Sequence, residues 1–241
     1  MKGNLVIIPT YNEIENIDAI ITAVIELPIS CDILVVDDGS PDGTGQRVED
    51  YTKMYPDRVH LLQRTGKSGL GRAYIAGFKW ALEKPYSCIA EMDADFSHPP
   101  ERLIELFETC GTGKADVCVG SRYVKGGGVL NWPYSRLLLS KGASLYVRWI
   151  TRMPVLDPTA GFVCYTREVL KSIGLDHIQF IGYAFQIEMK YTAYKLGFSI
   201  REIPILFPDR IKGKSKMNIF IIKEALLGVF KLRFKIFKRQ K

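Results

Sequence analysis

The sequence predicts an α/β fold with a mostly parallel central sheet flanked by helices and an amphipathic helix at its C-terminal end. Three observations carry this. Short apolar, β-branched runs alternate with helical patterns through the first half of the chain. Those runs are continuously apolar, as strands covered on both faces are. The last stretch of chain changes character, becoming basic and periodically aromatic.

Asn4–Ile8 reads as the first strand and Ile14–Leu27 as the first helix. Asp32–Val36 and Gly43–Tyr55 repeat the pair, as do Val59–Gln63 and Gly69–Leu82. Ser87–Met92 is a fourth strand, Pro99–Thr109 a helix and Ala115–Gly120 a strand. The pattern then turns irregular through Gly126-Gly-Gly128 and Trp132-Pro133 before an amphipathic helix at Ser135–Ile150. Phe162–Tyr165, Ile187–Leu196 and Phe198–Ile205 follow as strand, helix and strand, and Arg210–Lys216 is a basic, glycine-containing loop. No internal repeat or low-complexity linker appears. The expected division is a catalytic domain over residues 1–216 and a basic helix over 217–241.

The 241 residues are 47% hydrophobic and 24% charged, enough to bury a full core and unlike a disordered or fibrous chain. Five dispersed cysteines and three isolated histidines form no zinc pattern and imply reduced thiols in a cytosolic setting. Met1–Thr10 runs straight into a strand, so no secretory leader is expected. No stretch reaches the ~18–20 apolar residues of a membrane-spanning helix. The net charge of +7 is uneven: residues 210–241 hold 11 Lys/Arg against one acid, Glu224. A near-neutral body with a basic tail implies a polyanionic partner for the tail.

Ligands of such sheets bind beyond the carboxyl ends of the strands. Four of these ends carry chemistry: Pro9–Glu13, Asp37–Asp42, Asp93-Ala-Asp95 and Gly120–Tyr123. Two carboxylates one residue apart, Asp93 and Asp95, suit a hard divalent cation, Mg²⁺ or Mn²⁺, shared with substrate phosphates. Such a cation would stabilise charge on a departing diphosphate. Tyr11, Glu13 and Asp38 suit a nucleoside by stacking or by accepting hydrogen bonds, although Asn12 and Glu13 equally suit a helix start. Asp42 reads as a helix N-cap. Arg122 and Arg136 offer planar forks to phosphate oxygens, and Arg210, Lys214 and Lys216 could close over a bound anion. A surface salt bridge is the plainer reading of Arg122, and a solvated charge cluster that of the loop.

The tail, Ile219–Phe237, sets Phe220, Leu226, Leu227, Phe230, Phe234 and Phe237 at helical spacing against Glu224, Lys231, Lys235 and Lys238, with Lys223 and Arg233 interrupting the apolar side. This pattern fits a helix lying on anionic lipid. It also fits a helix packed on the domain with a solvated basic end.

The motifs PTYNE, VVDDGSPDGT, MDADFSH, GSRY, DPTAGF and GYAFQIEM, in this order, resemble the dolichol-phosphate (polyprenyl-phosphate) mannosyltransferases of the family 2 GT-A glycosyltransferases. The resemblance runs from about Leu5 to Met217. It implies the GT-A nucleotide-diphospho-sugar transferase fold, GDP-mannose as donor, a polyprenyl phosphate as acceptor and Mg²⁺ or Mn²⁺ as cofactor. It further implies that Pro9, Tyr11, Glu13, Val36 and Asp38 hold guanosine and that Asp93 and Asp95 bind the metal, with Ala94 lining the donor site. By the same resemblance Arg122, Arg210 and Lys216 meet donor phosphate, and Arg136 and Ser140 grip the acceptor phosphate. Asp95 and Arg122 are the expected catalytic groups. Ser97 stands where the resemblance implies glutamine, which leaves a third protein ligand to the metal open.

A lipid monophosphate, with a second pKa of ~6, is already anionic near neutrality and needs no strong base. Glu188 is therefore expected to be structural, and the displacement to invert the sugar. The location implied is the cytoplasmic face of a membrane, held peripherally. Three rivals share parts of the pattern. They are a UDP-glucose or other nucleotide-sugar transferase to undecaprenyl phosphate, a nucleic-acid-binding module, and a non-catalytic lipid-binding protein. The acidic strand ends and net acidic body argue against nucleic acid.

Overall fold

The computed structural model describes residues 3–66, 69–209 and 228–235, with Phe237 and Arg239. Nine strands and seven α-helices are assigned among the described residues. The strands β1 (Asn4–Thr10), β2 (Cys31–Asp37), β3 (Val59–Gln63), β4 (Cys88–Glu91), β5 (Val117–Ser121), β7 (Val163–Thr166) and β8 (Ile200–Pro204) form one sheet in the order β3-β2-β1-β4-β7-β5-β8. All pairs are parallel except those of β7, which runs antiparallel between β4 and β5. The sheet is thus mostly parallel, as expected. Two antiparallel pairings in succession leave β5 parallel to β4, so the carboxyl ends of β1, β2, β4 and β5 share one edge.

Helices α1 (Ile17–Ile25) and α4 (Leu103–Gly111) cover one face, where Ile17, Ile20, Leu103 and Leu106 pack on Val6, Ile8, Val35 and Ala90. Helices α3 (Leu70–Leu82), α6 (Arg167–Ile173) and α7 (Tyr183–Lys195) cover the other, where Tyr74, Phe78, Val169 and Phe185 meet Leu5, Ile7, Val36 and Tyr165. Alternate strand residues therefore feed two separate cores, which is why these strands read as unbroken apolar runs. Helix α2 (Thr44–Met54) lies beside β3.

Three features lie outside the expected pattern, the first being helix α6, since no helix is expected directly after Phe162–Tyr165. Gly128–Leu130 (β6) and Leu206–Pro208 (β9) pair in parallel as a second, two-stranded sheet. Helix α7 begins at Tyr183, four residues before the expected Ile187, because almost every turn of it is buried and the sequence shows no amphipathic period there. The long helix α5 (Tyr134–Thr151) follows β6.

Of the tail, residues 228–233 are helical, with Val229 and Leu232 buried against Val147, Met153, Ile187 and Tyr191. Phe230 and Phe234 face outward. The remaining tail positions of the expected helix, and with them the boundary at 216, lie outside the described residues.

Candidate active site

The edge formed by β1 and β2 is built around Asp37, which is fully buried. Its Oδ1 accepts from the hydroxyls of Thr10 (2.8 Å) and Ser40 (2.5 Å), and its Oδ2 from the Ser40 N–H (2.9 Å). Gly39, at φ +70°, makes that turn possible. Asp42 reaches across to the first loop: Oδ2 accepts from Ile14 N–H and Oδ1 from the Thr44 hydroxyl and N–H. Burial raises the Asp42 carboxyl, but those hydrogen bonds outweigh it and hold the group below its ordinary range. Asp42 thus meets the start of α2, where a helix cap was expected, and ties it to the loop after β1.

Within this frame Pro9, Tyr11 and Glu13 are half-buried at the edge. Glu13 accepts from Asn16 Nδ2 (2.9 Å), and its own N–H donates to Thr44 Oγ1 (3.0 Å). Asp38 is buried and paired with Arg64 Nη1 at 2.7 Å. The side chain of Val36 lies in the core beside α3, so contact with a ligand is left to its main chain.

After β4 the chain turns sharply. The Asp93 N–H donates to His98 Nδ1 (2.9 Å), the Ser97 N–H donates to Asp95 Oδ1 (3.1 Å), and Phe96 takes φ +60°. Asp93 is half-buried, while Ala94, Asp95, Ser97 and His98 are buried. Tyr74 donates weakly to Asp93 Oδ1 at 3.4 Å. The buried Ser97 Oγ has no hydrogen-bond partner. Two carboxylates and an unsatisfied hydroxyl in one turn form an all-oxygen donor set that fits Mg²⁺ or Mn²⁺. Among the described residues no three His, Cys, Asp or Glu side chains group to hold a metal by themselves. A cation at Asp93 and Asp95 would therefore draw further ligands from substrate or water.

Beneath this turn lies a buried polar layer. Glu91 accepts from Gln186 Nε2 (2.8 Å), and burial pushes its carboxyl up to about 8. Lys190 donates to the Ala160 carbonyl (2.6 Å), and burial brings its ammonium down to about 8. Glu188, also buried, accepts from the N–H groups of Gln179 and Phe180 (both 2.9 Å) and from Lys235 Nζ (2.6 Å).

After β5, Arg122 is almost fully enclosed. Its Nε and Nη2 each lie 2.7 Å from one oxygen of Asp157, and Nη2 also donates to Thr159 (2.8 Å). Arg136, on the first turn of α5, pairs with Asp209 at 2.5 Å. Both guanidinium groups sit against the indole of Trp132, at 5.6 Å for Arg122 and 3.8 Å for Arg136. Ser140, one turn on, accepts from Tyr123 Oη at 2.7 Å. Arg122, Arg136 and Ser140 are thus gathered around Trp132 and Tyr123. Arg122 is an internal pair, where a surface salt bridge was the plainer reading. Arg210 and Lys216 lie outside the described residues, as does Lys214.

Sequence reasoning gave no individual role to Trp132, Tyr123, Asp157 or Asp209. The motif DPTAGF contained Asp157, and Trp132-Pro133 stood out only as irregular chain.

Residues 5–174 match the model of the family described as Glycosyl transferase family 2. Polyprenol monophosphomannose synthase of Mycolicibacterium smegmatis is 50% identical over 95% of this chain and 86% of its own length. Undecaprenyl-phosphate mannosyltransferase of Micrococcus luteus is 46% identical over 93% and 91%. Dolichol-phosphate mannosyltransferase of Pyrococcus furiosus is 38% identical over 94% of this chain, which spans 62% of that relative. Among solved structures, glucosyl-3-phosphoglycerate synthase from Mycobacterium tuberculosis, in complex with Mn²⁺, UDP and phosphoglyceric acid, superimposes with a TM-score of 0.72. The superposition covers 98% of this chain and 80% of that one at 17% identity. That likeness is one of fold, the GT-A arrangement expected from the sequence.

Proposed function

This chain belongs to glycosyl transferase family 2, and from that premise we propose that it moves mannose from GDP-mannose to a polyprenyl phosphate, with inversion, releasing GDP. The names of three relatives, each matched over more than nine-tenths of this chain, support the acceptor class and the sugar. The observation that carries the reading is the pair of guanidinium groups set against Trp132, on the sheet edge that also bears Asp93 and Asp95. Two anionic reactants must meet there; one end supplies cation-binding oxygens, and the other supplies two guanidinium groups, each now paired with a carboxylate, of which the half-exposed Arg136 would exchange Asp209 for phosphate.

In this reading Pro9, Tyr11, Glu13, Val36 and Asp38 hold the guanosine, and Ala94 lines the donor site. Asp93 and Asp95 hold Mg²⁺ or Mn²⁺, with the Ser97 hydroxyl in the same turn. The cation supplies Lewis-acid stabilisation of the departing diphosphate. Arg122 faces donor phosphate, and Arg210 and Lys216 close over it. Arg136 and Ser140 orient the acceptor phosphate, whose anionic oxygen attacks the anomeric carbon from the face opposite the leaving group. Because the nucleophile arrives ionised, positioning replaces general-base catalysis. Glu188, engaged with two main-chain N–H groups and Lys235, keeps a structural role.

No described helix is long and apolar enough to cross a membrane. We assign the protein to the cytoplasmic face of a membrane, held peripherally by anionic lipid, where a polyprenyl phosphate presents its head group. The test is incubation with polyprenyl phosphate, Mg²⁺ or Mn²⁺ and a panel of radiolabelled nucleotide sugars, followed by organic extraction. Label from GDP-mannose should enter the organic phase only with metal present. Transfer from UDP-glucose alone would select the rival donor.

A further inference from the structure

The small sheet of β6 and β9 lies where the two halves of the proposed site meet. Its strand β9 is held by main-chain hydrogen bonds on both flanks. The Ile205 N–H donates to the Ser121 carbonyl at the end of β5 (3.0 Å), and the Asp209 N–H to the Leu130 carbonyl at the end of β6 (2.9 Å). Val129 and Phe207 are register partners, so β9 delivers Phe207 beside the chain that runs on into Trp132.

The Phe207 ring touches both halves. On the metal side it stands edge-on to His98, with centroids 5.6 Å apart and planes at 75°. His98 is buried, stacks on Phe162 at 5.0 Å, and accepts the Asp93 N–H at Nδ1. Its ring is therefore fixed to the turn that bears Asp93 and Asp95. On the other side Phe207 is perpendicular to Trp132 at 5.5 Å and lies 5.4 Å from the guanidinium carbon of Arg122. Trp132 in turn carries Arg136, which pairs with Asp209, two residues beyond Phe207. One ring thus stands between the carboxylates and the guanidinium groups, in the edge-to-face geometry that aromatic pairs favour. Close packing of this kind transmits a displacement instead of absorbing it.

We propose that Phe207 is a positioning residue, a rigid spacer that sets the distance between the Asp93–Asp95 turn and the Arg122–Arg136 pair. The inference rests on the functional reading above, which places a diphosphate at the first and a lipid phosphate at the second. Phe207 touches neither reactant in this role. Without its ring each half still binds its own ligand, but the attacking phosphate oxygen stands off from the anomeric carbon. Transfer between two bound groups is acutely sensitive to that separation, and a misplacement of about 1 Å can cost about a hundredfold in rate. A side chain that only filled the core would support stability and leave turnover alone.

The test uses Phe207→Leu, which keeps apolar bulk but removes the ring, with Leu206→Ala on the exposed side of the same strand as control. Phe207→Met carries the same expectations and serves if the leucine variant does not fold. The first readout needs no sugar. With Mn²⁺ and GDP bound, the unpaired electrons of the metal speed relaxation of the phosphorus nucleus of added farnesyl phosphate, by the inverse sixth power of their separation. Phe207→Leu should weaken that enhancement roughly twofold, the change for a displacement of about 1 Å, while affinity for Mn²⁺ and GDP stays at the parent's value. The second readout is turnover with GDP-mannose and polyprenyl phosphate. There kcat should fall about a hundredfold, with both KM values unchanged and Leu206→Ala like the parent. A parent-like value of either the enhancement or kcat in Phe207→Leu would overturn the proposal. So would a loss of kcat matched by an equal loss of affinity for Mn²⁺ and GDP. A parent that relaxes the phosphate yet transfers no mannose would sink the choice of sugar alone, and the enhancement would still decide the role of Phe207. No enhancement in the parent with either GDP or UDP would overturn both.

Discussion

Asp157 grips Arg122 at three points: the main-chain N–H at 3.0 Å and Nε at 2.7 Å on one oxygen, and Nη2 at 2.7 Å on the other. The Arg122 side chain is 9% exposed and that of Asp157 is not exposed at all. Removing one member of such a pair leaves a buried charge uncompensated. Asp157→Ala should therefore destabilise the protein by about 3 kcal/mol, read as a lower urea midpoint at pH 7. An unchanged midpoint would mean that the pair contributes nothing to the fold.

The same pair predicts a pH dependence. Burial raises the Asp157 carboxyl, but hydrogen bonds and charge from Arg122 outweigh it and leave it below its ordinary range. Its stabilisation is thus complete above the unfolded value of about 3.9 and is lost as pH falls through the lower folded value. Asp157→Asn, which cannot titrate, should be less stable than the parent at pH 7, and the gap should narrow on acidification. A gap constant down to pH 2.5 would contradict this assignment.

Gly127, in the loop after β5, and Gly128, the first residue of β6, should differ sharply in tolerance. A Cβ on Gly127 would lie 2.5 Å from the Ser121 carbonyl oxygen and 3.0 Å from the Arg122 carbonyl carbon, both main-chain atoms. A Cβ on Gly128 meets nothing nearer than Leu206 Cδ2 at 3.5 Å. Gly127→Ala should cost about 1–3 kcal/mol and lower turnover by displacing Arg122. Gly128→Ala should leave both stability and turnover near the parent.

Arg136 combines a face-on contact with Trp132 and a carboxylate partner, Asp209. Arg136→Ala should raise KM for the lipid phosphate about tenfold, the loss expected for one charge-assisted hydrogen bond. KM for GDP-mannose should stay unchanged. Lysine, without a planar fork, should restore little of the loss. A rise confined to the donor KM would move Arg136 to the other substrate.

The strand ends were legible in the sequence because each is local: an apolar run, then acids or an Arg within a few residues. Asp93 and Asp95 stood out for that reason. The partners of the basic groups were not legible, because they come from far along the chain. Asp157 is 35 residues from Arg122, and Asp209 is 73 from Arg136. The antiparallel entry of β7 between β4 and β5 was hidden for the same reason, since pairing of Cys164 with Ala90 and Cys118 leaves no mark on local pattern. Amphipathicity revealed α5 but not that Tyr134, Leu138, Leu145 and Trp149 face water.

The central claim is that Asp93 and Asp95 hold a divalent cation against the diphosphate of the donor. Electron paramagnetic resonance of Mn²⁺ titrated with protein, with and without GDP, tests it most directly. GDP should increase the bound Mn²⁺ in the parent, and Asp93→Ala and Asp95→Ala should each abolish that increase while melting like the parent. GDP-dependent Mn²⁺ binding that survives both substitutions would contradict the account.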